Sequence, residues 1–543
     1  MMRITGAQAL IKSVLSYGVD TIFGLPGGQL DNLFDALYKE GDSVRVIHSR
    51  HEQGCAYMAM GYARSTGRVG VYTVVPGAGL LNTTAALSTA YATNAQVLCL
   101  AGQIPSKAIG KGFGELHEIP DQLALIRGLT KWAQRIDHPG AAPELVREAF
   151  KQLNTGRPRP VELEMSMDIM GQTAAVTLLE PVSHEPQSPD PDVIEEAAKM
   201  LGHAEAPLIV IGGGALDAGS ELLELAEMLQ APVVSMGNGR GVVSDRHYLS
   251  LSGPAGHRLW KSADVVLAIG TRLVMPLTMW GTDEHLKIIR VDVDPVEIER
   301  IASPALSIVS DARTAVAGLA GAVGKHNRSR PSREDELTSL KNGFAKEFAQ
   351  NVAPQCAFLQ AIREELPDDG FFVDEVTQVG FASWYAFPSY LPRHTLSVGY
   401  QGTLGYGFAT ALGVQAGNLE SKVVSINGDG GFMFNVQEMA TAVQQRLGLV
   451  TIVFNDNTFG NVRRQQKEWY GGRFIASDLR NPDFVKLAES FGMLGFRAHT
   501  PDELRQVMRR AFAEDGPSLI EVPVGEMPSP WPYILLPQVR PTG

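Results

Sequence analysis

Short runs of β-branched and other apolar residues alternate along the chain with longer amphipathic stretches. The clearest runs are VGVYTVV, QVLCLAG, PLIVIGGG, DVVLAIG, IIRVDVD, KVVSING and LVTIVFN. Continuous apolar runs of this length, each followed by a stretch of helical period, predict parallel strands covered on both faces by helices. Two segments break the pattern: residues 176–191, rich in Pro, Ser and acidic residues, and residues 324–336, GKHNRSRPSREDE, which are almost free of apolar side chains. Both read as linkers. The expected architecture is α/β, with three doubly wound parallel-sheet units at about 1–175, 190–323 and 345–530. No short repeat is visible. The tail after Val524, MPSPWPYILLPQVRP, has too many prolines for a helix and is expected to run extended. Its Trp531 and Tyr533 either cover a cleft or make plain packing contacts.

Composition narrows the function. The 543 residues are 44% hydrophobic and 20% charged, and the formal charge of −12 comes without a long run of either sign. That gives no footprint for nucleic acid or an anionic membrane and leaves small-molecule chemistry as the default. The three cysteines, Cys55, Cys99 and Cys356, have no CxxC spacing and cannot all pair, which fits a reducing cytoplasm. The N-terminal MMRITGAQALIKSVLSYG reads as an amphipathic helix rather than a signal peptide. No apolar run reaches the roughly 20 residues that a bilayer requires.

In the third unit the strand Val423–Ile426 leads into Asn427-Gly428-Asp429-Gly430-Gly431, with a helical pattern from Asn435 to Gln445. Asp429 is thereby placed at the carboxyl end of a strand, where doubly wound sheets bind ligands. Flanking glycines admit a phosphate, and a following helix N-terminus favours negative charge. The next strand, Val450–Phe454, ends in Asn455-Asp456-Asn457-Thr458 and brings a second set of oxygen donors to the same edge. A hard cation such as Mg²⁺ takes a few such oxygens and completes its octahedron with phosphate oxygens. Taken alone, the GDGG turn is equally well a tight structural turn. In the first unit, Gly24-Leu25-Pro26-Gly27-Gly28 follows the strand Thr21–Phe23, and Arg50-His51-Glu52 follows the strand Val44–His48. Glu52 opens a helix of small and apolar residues, either as a first-turn acid complementing the helix dipole or as a carboxylate with a chemical role.

Together these motifs resemble the thiamine-diphosphate enzymes, and acetolactate synthase large subunits in particular. The order of motifs is the same: Phe23–Gly28, Arg50–Glu52, Pro76-Gly77-Ala78-Gly79, Gly102-Gln103, Tyr400–Gly407, and Gly428-Asp429-Gly430 with Asn455-Asp456-Asn457. The resemblance implies thiamine diphosphate and Mg²⁺ as cofactors, with pyrimidine-binding, central and diphosphate-binding domains. Asp429, Asp456 and the carbonyl of Thr458 would hold the metal, although the position of Asp456 is usually Asn in acetolactate synthases. Pro76, Gln378, Gly428, Gly430, Gly431, Phe459 and Gly460 would line the cofactor. Leu404 would wedge between its two rings, and the Gly402 carbonyl would accept from its amino group. Glu52 would hydrogen-bond the pyrimidine and promote loss of the thiazolium C2 proton, so that the cofactor carbon is the nucleophile. Gly28, Gln103, Leu116 and His117 would face the reacting carbon. Because Glu52 and Asp429 belong to different units, the resemblance also implies a site between two chains, in a homodimer or homotetramer.

The implied reaction is decarboxylation of a 2-oxo acid, pyruvate first, with the remaining fragment ligated to a second carbonyl. Two departures matter: Leu116-His117-Glu118 replaces the family's Phe-Gln-Glu in a longer loop, and Gln465 replaces the tryptophan of the acceptor pocket. His117 reads either as an acid/base or as a polar loop contact, and Arg463 and Arg464 either as a substrate-carboxylate clamp or as solvated surface. The segment Glu115–Gln122 with Lys131-Trp132 is also similar to benzaldehyde-lyase-type carboligases, which keeps aldehydes among the substrates. In the central unit Ile209–Ala215 is a strand and a glycine turn, but not GxGxxG. In this family that domain holds FAD, holds an adenine nucleotide or is empty. A flavin-linked 2-oxo acid oxidase is therefore an alternative, and a catalytically silent binding subunit is another.

Overall fold

The computed structural model describes residues 1–541 and contains three six-stranded, wholly parallel sheets. In the first sheet, from edge to edge, lie Arg45–His48, Thr21–Gly24, Gly70–Val74, Val97–Gln103, Val161–Ser166 and Trp132–Ile136. In the third lie Thr395–Leu396, Phe371–Val373, Val423–Gly428, Val450–Asn455, Ser518–Pro523 and Leu494–Arg497. Numbered by sequence within each sheet, both have the order 2-1-3-4-6-5. The central sheet runs Ser250–Leu251, Val233–Ser235, Leu208–Ile211, Val265–Ile269, Lys287–Asp292 and Leu306–Val309, the order 3-2-1-4-5-6. In each case the order reverses beside the sheet's first strand, which opens a crevice at the strands' carboxyl ends.

The strands are apolar throughout because both faces are covered. In Val97–Gln103 and Val265–Ile269 every residue is buried. An antiparallel pair, Met2–Thr5 with Thr173–Val176, closes the first unit, and a Thr5–Gln8 capping box starts the helix Gly6–Ser16 between them. The first and third units share one apolar cluster, and the central and third share another. The first and third units meet tightly at the helices Glu52–Thr66 and Tyr406–Gly417. A Cβ on Gly61 would sit 2.1 Å from the Thr410 carbonyl oxygen, and one on Gly413 would sit 1.9 Å from that of Met58. These two backbones touch only because both positions lack side chains.

Two elements differ from the sequence expectation. The helix Glu334–Asn351 begins inside the segment expected to be a linker, with Leu337, Phe344 and Phe348 as its buried face. Helical structure after Gly428 starts at Asp429 itself, in the short helix Asp429–Phe432, rather than at Asn435. The tail is extended apart from a turn at Trp531–Tyr533, and the Trp531 indole donates to Asn461 Oδ1 at 2.9 Å. Among the described residues no helix is long and apolar enough to cross a membrane, and all three cysteines are free.

Candidate active site

At the switch point of the third sheet, between Phe371–Val373 and Val423–Gly428, lies a cavity of about 290 Å³. Gly428 is paired with Phe454 in register, so the two strands release Asp429 and Asp456 at the same edge. Gln378, Gly402, Leu404, Gly428, Gly430, Gly431, Thr458, Phe459 and Gly460 all line the cavity with them. The sequence-predicted residues of the third unit are thus brought together. Burial, and then the charge of Asp456, push the Asp429 carboxyl up to about 6; burial also raises that of Asp456. A buried carboxyl whose affinity for protons is raised further by a second carboxylate marks a site short of positive charge.

At two wall glycines there is room only for backbone. A Cβ on Gly430 would meet the Phe459 ring at 2.6 Å, and one on Gly431 would meet Glu375 Oε1 at 2.8 Å. Gly402 and Gly405 hold φ of +57° and +83°, so the loop carrying Leu404 turns on two left-handed residues. Gln378 Oε1 is buried with no partner, an acceptor left open in the cavity wall.

The first unit places its residues around its own strand ends. Glu52 opens its helix, half-buried, and Oε2 accepts from the Asn82 side-chain amide at 2.9 Å. An ideal Cβ on Gly79 would lie 3.5 Å from its other oxygen. Pro76 is buried in the neighbouring turn, where the absence of a side chain on Gly77 lets the His117 carbonyl approach. His117 has φ +65°, and its Nδ1 lies 3.1 Å from Gln29 Oε1; Gln29 also donates to the Leu116 carbonyl at 2.9 Å. The loop is thereby pinned beside the turn that adjoins Glu52. Gly28 is exposed with free space around it, whereas Gln103 is buried and donates to Glu164 at 3.3 Å. Gln122 donates to the same carboxylate at 2.8 Å, and Arg135 pairs with it. None of these first-unit residues lines the third-unit cavity of the same chain.

The chain matches the family models of the thiamine pyrophosphate enzymes over residues 4–125 for the N-terminal TPP binding domain, 194–319 for the central domain and 375–522 for the C-terminal TPP binding domain. It is 34% identical to a probable acetolactate synthase large subunit of Methanocaldococcus jannaschii, with 99% of this chain and 94% of that protein covered. It is 32% identical to a probable 2-ketoarginine decarboxylase of Pseudomonas aeruginosa, over 96% and 94% of the two chains. An acetolactate synthase large subunit of Haemophilus influenzae is 31% identical, over 94% and 93%. The chain belongs to the thiamine pyrophosphate enzymes. Within them it is a carboligase or decarboxylase of the acetolactate-synthase-like kind.

Several residues of this thiamine pyrophosphate enzyme's site escape a reading of the sequence. Asn481 donates its side-chain amide to Asp429 Oδ2 at 2.5 Å, to Asn455 Oδ1 at 3.0 Å and to Asn457 Oδ1 at 3.3 Å. Three oxygens thus converge on one point, and nothing in the local pattern Arg480-Asn481-Pro482 marks that residue. Glu375 accepts from the backbone N–H groups of Gly405 and Gly407 at 2.7 and 3.0 Å, and burial pushes its carboxyl up to about 8. A signal for Glu375 did exist: an acid pair, Asp374-Glu375, directly after the apolar strand Phe371–Val373. Arg463 and Arg464 are both engaged by their own chain. Arg463 pairs with Asp478 and stacks on Phe474 at 3.9 Å, and Arg464 pairs with Glu468. In the central unit, a cavity of about 330 Å³ opens at the Gly213 and Gly270 turns. Gly212 and Gly214 are accounted for by close passage of Gly270, whose oxygen would be 2.5 Å from a Cβ on Gly212.

Proposed function

We propose that the protein decarboxylates a 2-oxo acid, with pyruvate the first donor to test, and passes the remaining fragment to a second carbonyl. The observation that carries this reading is the pair Asp429 and Asp456, raised in pKa and facing a glycine-walled cavity at a sheet switch point. Asp429, Asp456 and the Thr458 carbonyl would hold Mg²⁺, an all-oxygen set suited to a hard cation. Gln378 would spend its open acceptor or its amide on the cofactor's polar end, and Leu404 would support its rings. When bound, thiamine pyrophosphate supplies a carbon nucleophile and an electron sink for loss of CO₂. Glu52 takes and returns a proton at its carboxylate, and Asn82 fixes the orientation of that carboxylate. His117, held by Gln29, would contact substrate.

Since the cavity contains no first-unit residue, Glu52 of one chain is read as serving the cavity of a second, in at least a dimer. The free thiols fit a reducing cytoplasm. A second outcome, protonation of the fragment to an aldehyde, is favoured by the similarity to the 2-ketoarginine decarboxylase and by the polar Gln465. Incubating protein, Mg²⁺ and thiamine pyrophosphate with a panel of 2-oxo acids and aldehydes, while following CO₂ and products, separates the two. Release of CO₂ from none of them sinks the reading. Visible absorbance of the pure protein addresses flavin: a colourless, fully active enzyme removes the flavin-linked oxidase. Glu52→Gln is expected to slow exchange of the cofactor's C2 proton by roughly 10²–10⁴-fold, the usual worth of a positioned acid–base group.

A further inference from the structure

Glu438 belongs to the third unit, at the end of the turn Val436–Glu438, and its side chain is fully buried. Its carboxylate reaches into the first unit. Both oxygens accept from the backbone N–H of Arg50 at 3.1 Å, and Oε1 also accepts from that of His51 at 3.0 Å. The Thr441 hydroxyl donates to Oε2 at 2.6 Å. Arg50 and His51 are the two residues immediately before Glu52, and His51 is the N-cap of the Glu52 helix. Space for the carboxylate comes from Gly54, where a Cβ would lie 2.7 Å from the Glu438 carboxyl carbon. The same segment begins at Asp429, and its Asn435 donates to the Gly405 carbonyl at 2.7 Å, in the loop that carries Leu404.

A buried carboxylate that satisfies consecutive backbone donors at a helix start fixes the entry of that helix and complements its dipole. It leaves the chain before Glu52 little freedom to shift. We propose that Glu438 is a positioning residue for Glu52: by clamping the Arg50 and His51 amides it sets the place of the activating carboxylate. The inference rests on the function assigned to Glu52 above. A purely structural clamp between the two units makes a different prediction, because its loss weakens cofactor binding and turnover together. A positioning residue acts on Glu52 alone, and a displacement of about 1 Å in a reacting group costs on the order of 100-fold in rate.

The test uses the full chain with Glu438→Gln, which keeps the shape but removes the charge and leaves one acceptor oxygen in place of two for the Arg50, His51 and Thr441 donors. Gly54→Ala displaces the same carboxylate without changing it, and Glu438→Asp is the conservative rescue. Two readouts are taken: C2-proton exchange on bound thiamine pyrophosphate, and backbone amide hydrogen exchange over residues 49–54 in the cofactor-free protein. Expected for Glu438→Gln and Gly54→Ala are a roughly 100-fold slower C2 exchange, lost amide protection confined to that peptide, and Mg²⁺-dependent cofactor affinity within a few-fold of wild type. Glu438→Asp should recover part of the rate. Normal C2 exchange in both disruptive variants, or equal losses in affinity and rate, overturns the inference. If Glu52→Gln itself leaves C2 exchange unchanged, the functional reading fails instead, and the two failures are distinct.

Discussion

The first and third sheets have the same strand order, 2-1-3-4-6-5, yet their switch points are built for different work. At the third, strand ends deliver two carboxylates, a short helix and glycines whose side-chain space is filled by neighbours. At the first, the strand ends deliver glycine turns and a Gln–Glu–Arg network, and the carboxylate proposed to handle the proton, Glu52, comes from a helix start. Identical topology thus sets where a ligand sits but not which end of it is gripped. On the proposed reading, one edge serves a metal–diphosphate and the other a proton.

That division predicts separable losses. Asp429→Ala should cost at least ~100-fold in Mg²⁺-dependent affinity for thiamine pyrophosphate, the upper end of what even outer ligand partners cost. Glu52→Gln should leave that affinity nearly unchanged. Titration of the cofactor by protein fluorescence checks both, and equal effects from the two variants would dissolve the distinction. Asn481→Leu removes the amide on which Asp429, Asn455 and Asn457 converge, and should cost ~10-fold in metal affinity by the same titration. A loss as large as that of Asp429→Ala would make Asn481 a ligand rather than a support.

The smallest effect concerns pH. The folded chain holds a proton on Asp429 up to about pH 6, whereas an unfolded aspartate titrates near ~3.9. Between those values the folded state binds more protons than the unfolded one, so cation-free stability falls as pH rises through the window. Mg²⁺, if held by Asp429 and Asp456 as proposed, would relieve that loss. The melting-temperature gain from Mg²⁺ should therefore be larger at pH 7 than near pH 4.5, and an equal gain at both would contradict a shared site at Asp429 and Asp456.

Much of this was legible in the sequence. Short apolar runs bounded by turn residues read as strands covered on both faces, and Asp429 bracketed by glycines after such a run points to a ligand-binding edge once Asp456 follows one crossover later. Glu52 was visible because the helix behind it, from Gly54 to Ala63, is nearly free of charge. The rest depends on tertiary contacts that leave no local period. The shared strand order of two sheets with unrelated sequences is one case. Asn481 folds back on Asp429 from 52 residues away, and Gly61 and Gly413 reveal their purpose only when the two helices touch. Glu375 could have been noticed, since paired acids directly after a buried strand need a reason. The helix start at Asp429 was missed because three glycines near a turn argue against helix, while the strand end and the crevice impose it.

The central claim is that one chain's Glu52 completes the cavity built by another chain's Asp429. Two differently tagged chains, one with Glu52→Gln and one with Asp429→Ala, can be co-expressed and their mixed dimer isolated by tandem affinity. If the site lies between chains, the mixed dimer holds one intact site and should show about half the wild-type CO₂ release, while each parent is nearly inactive. If the site lies within one chain, every site carries a lesion, and a mixed dimer no more active than its parents would contradict the account.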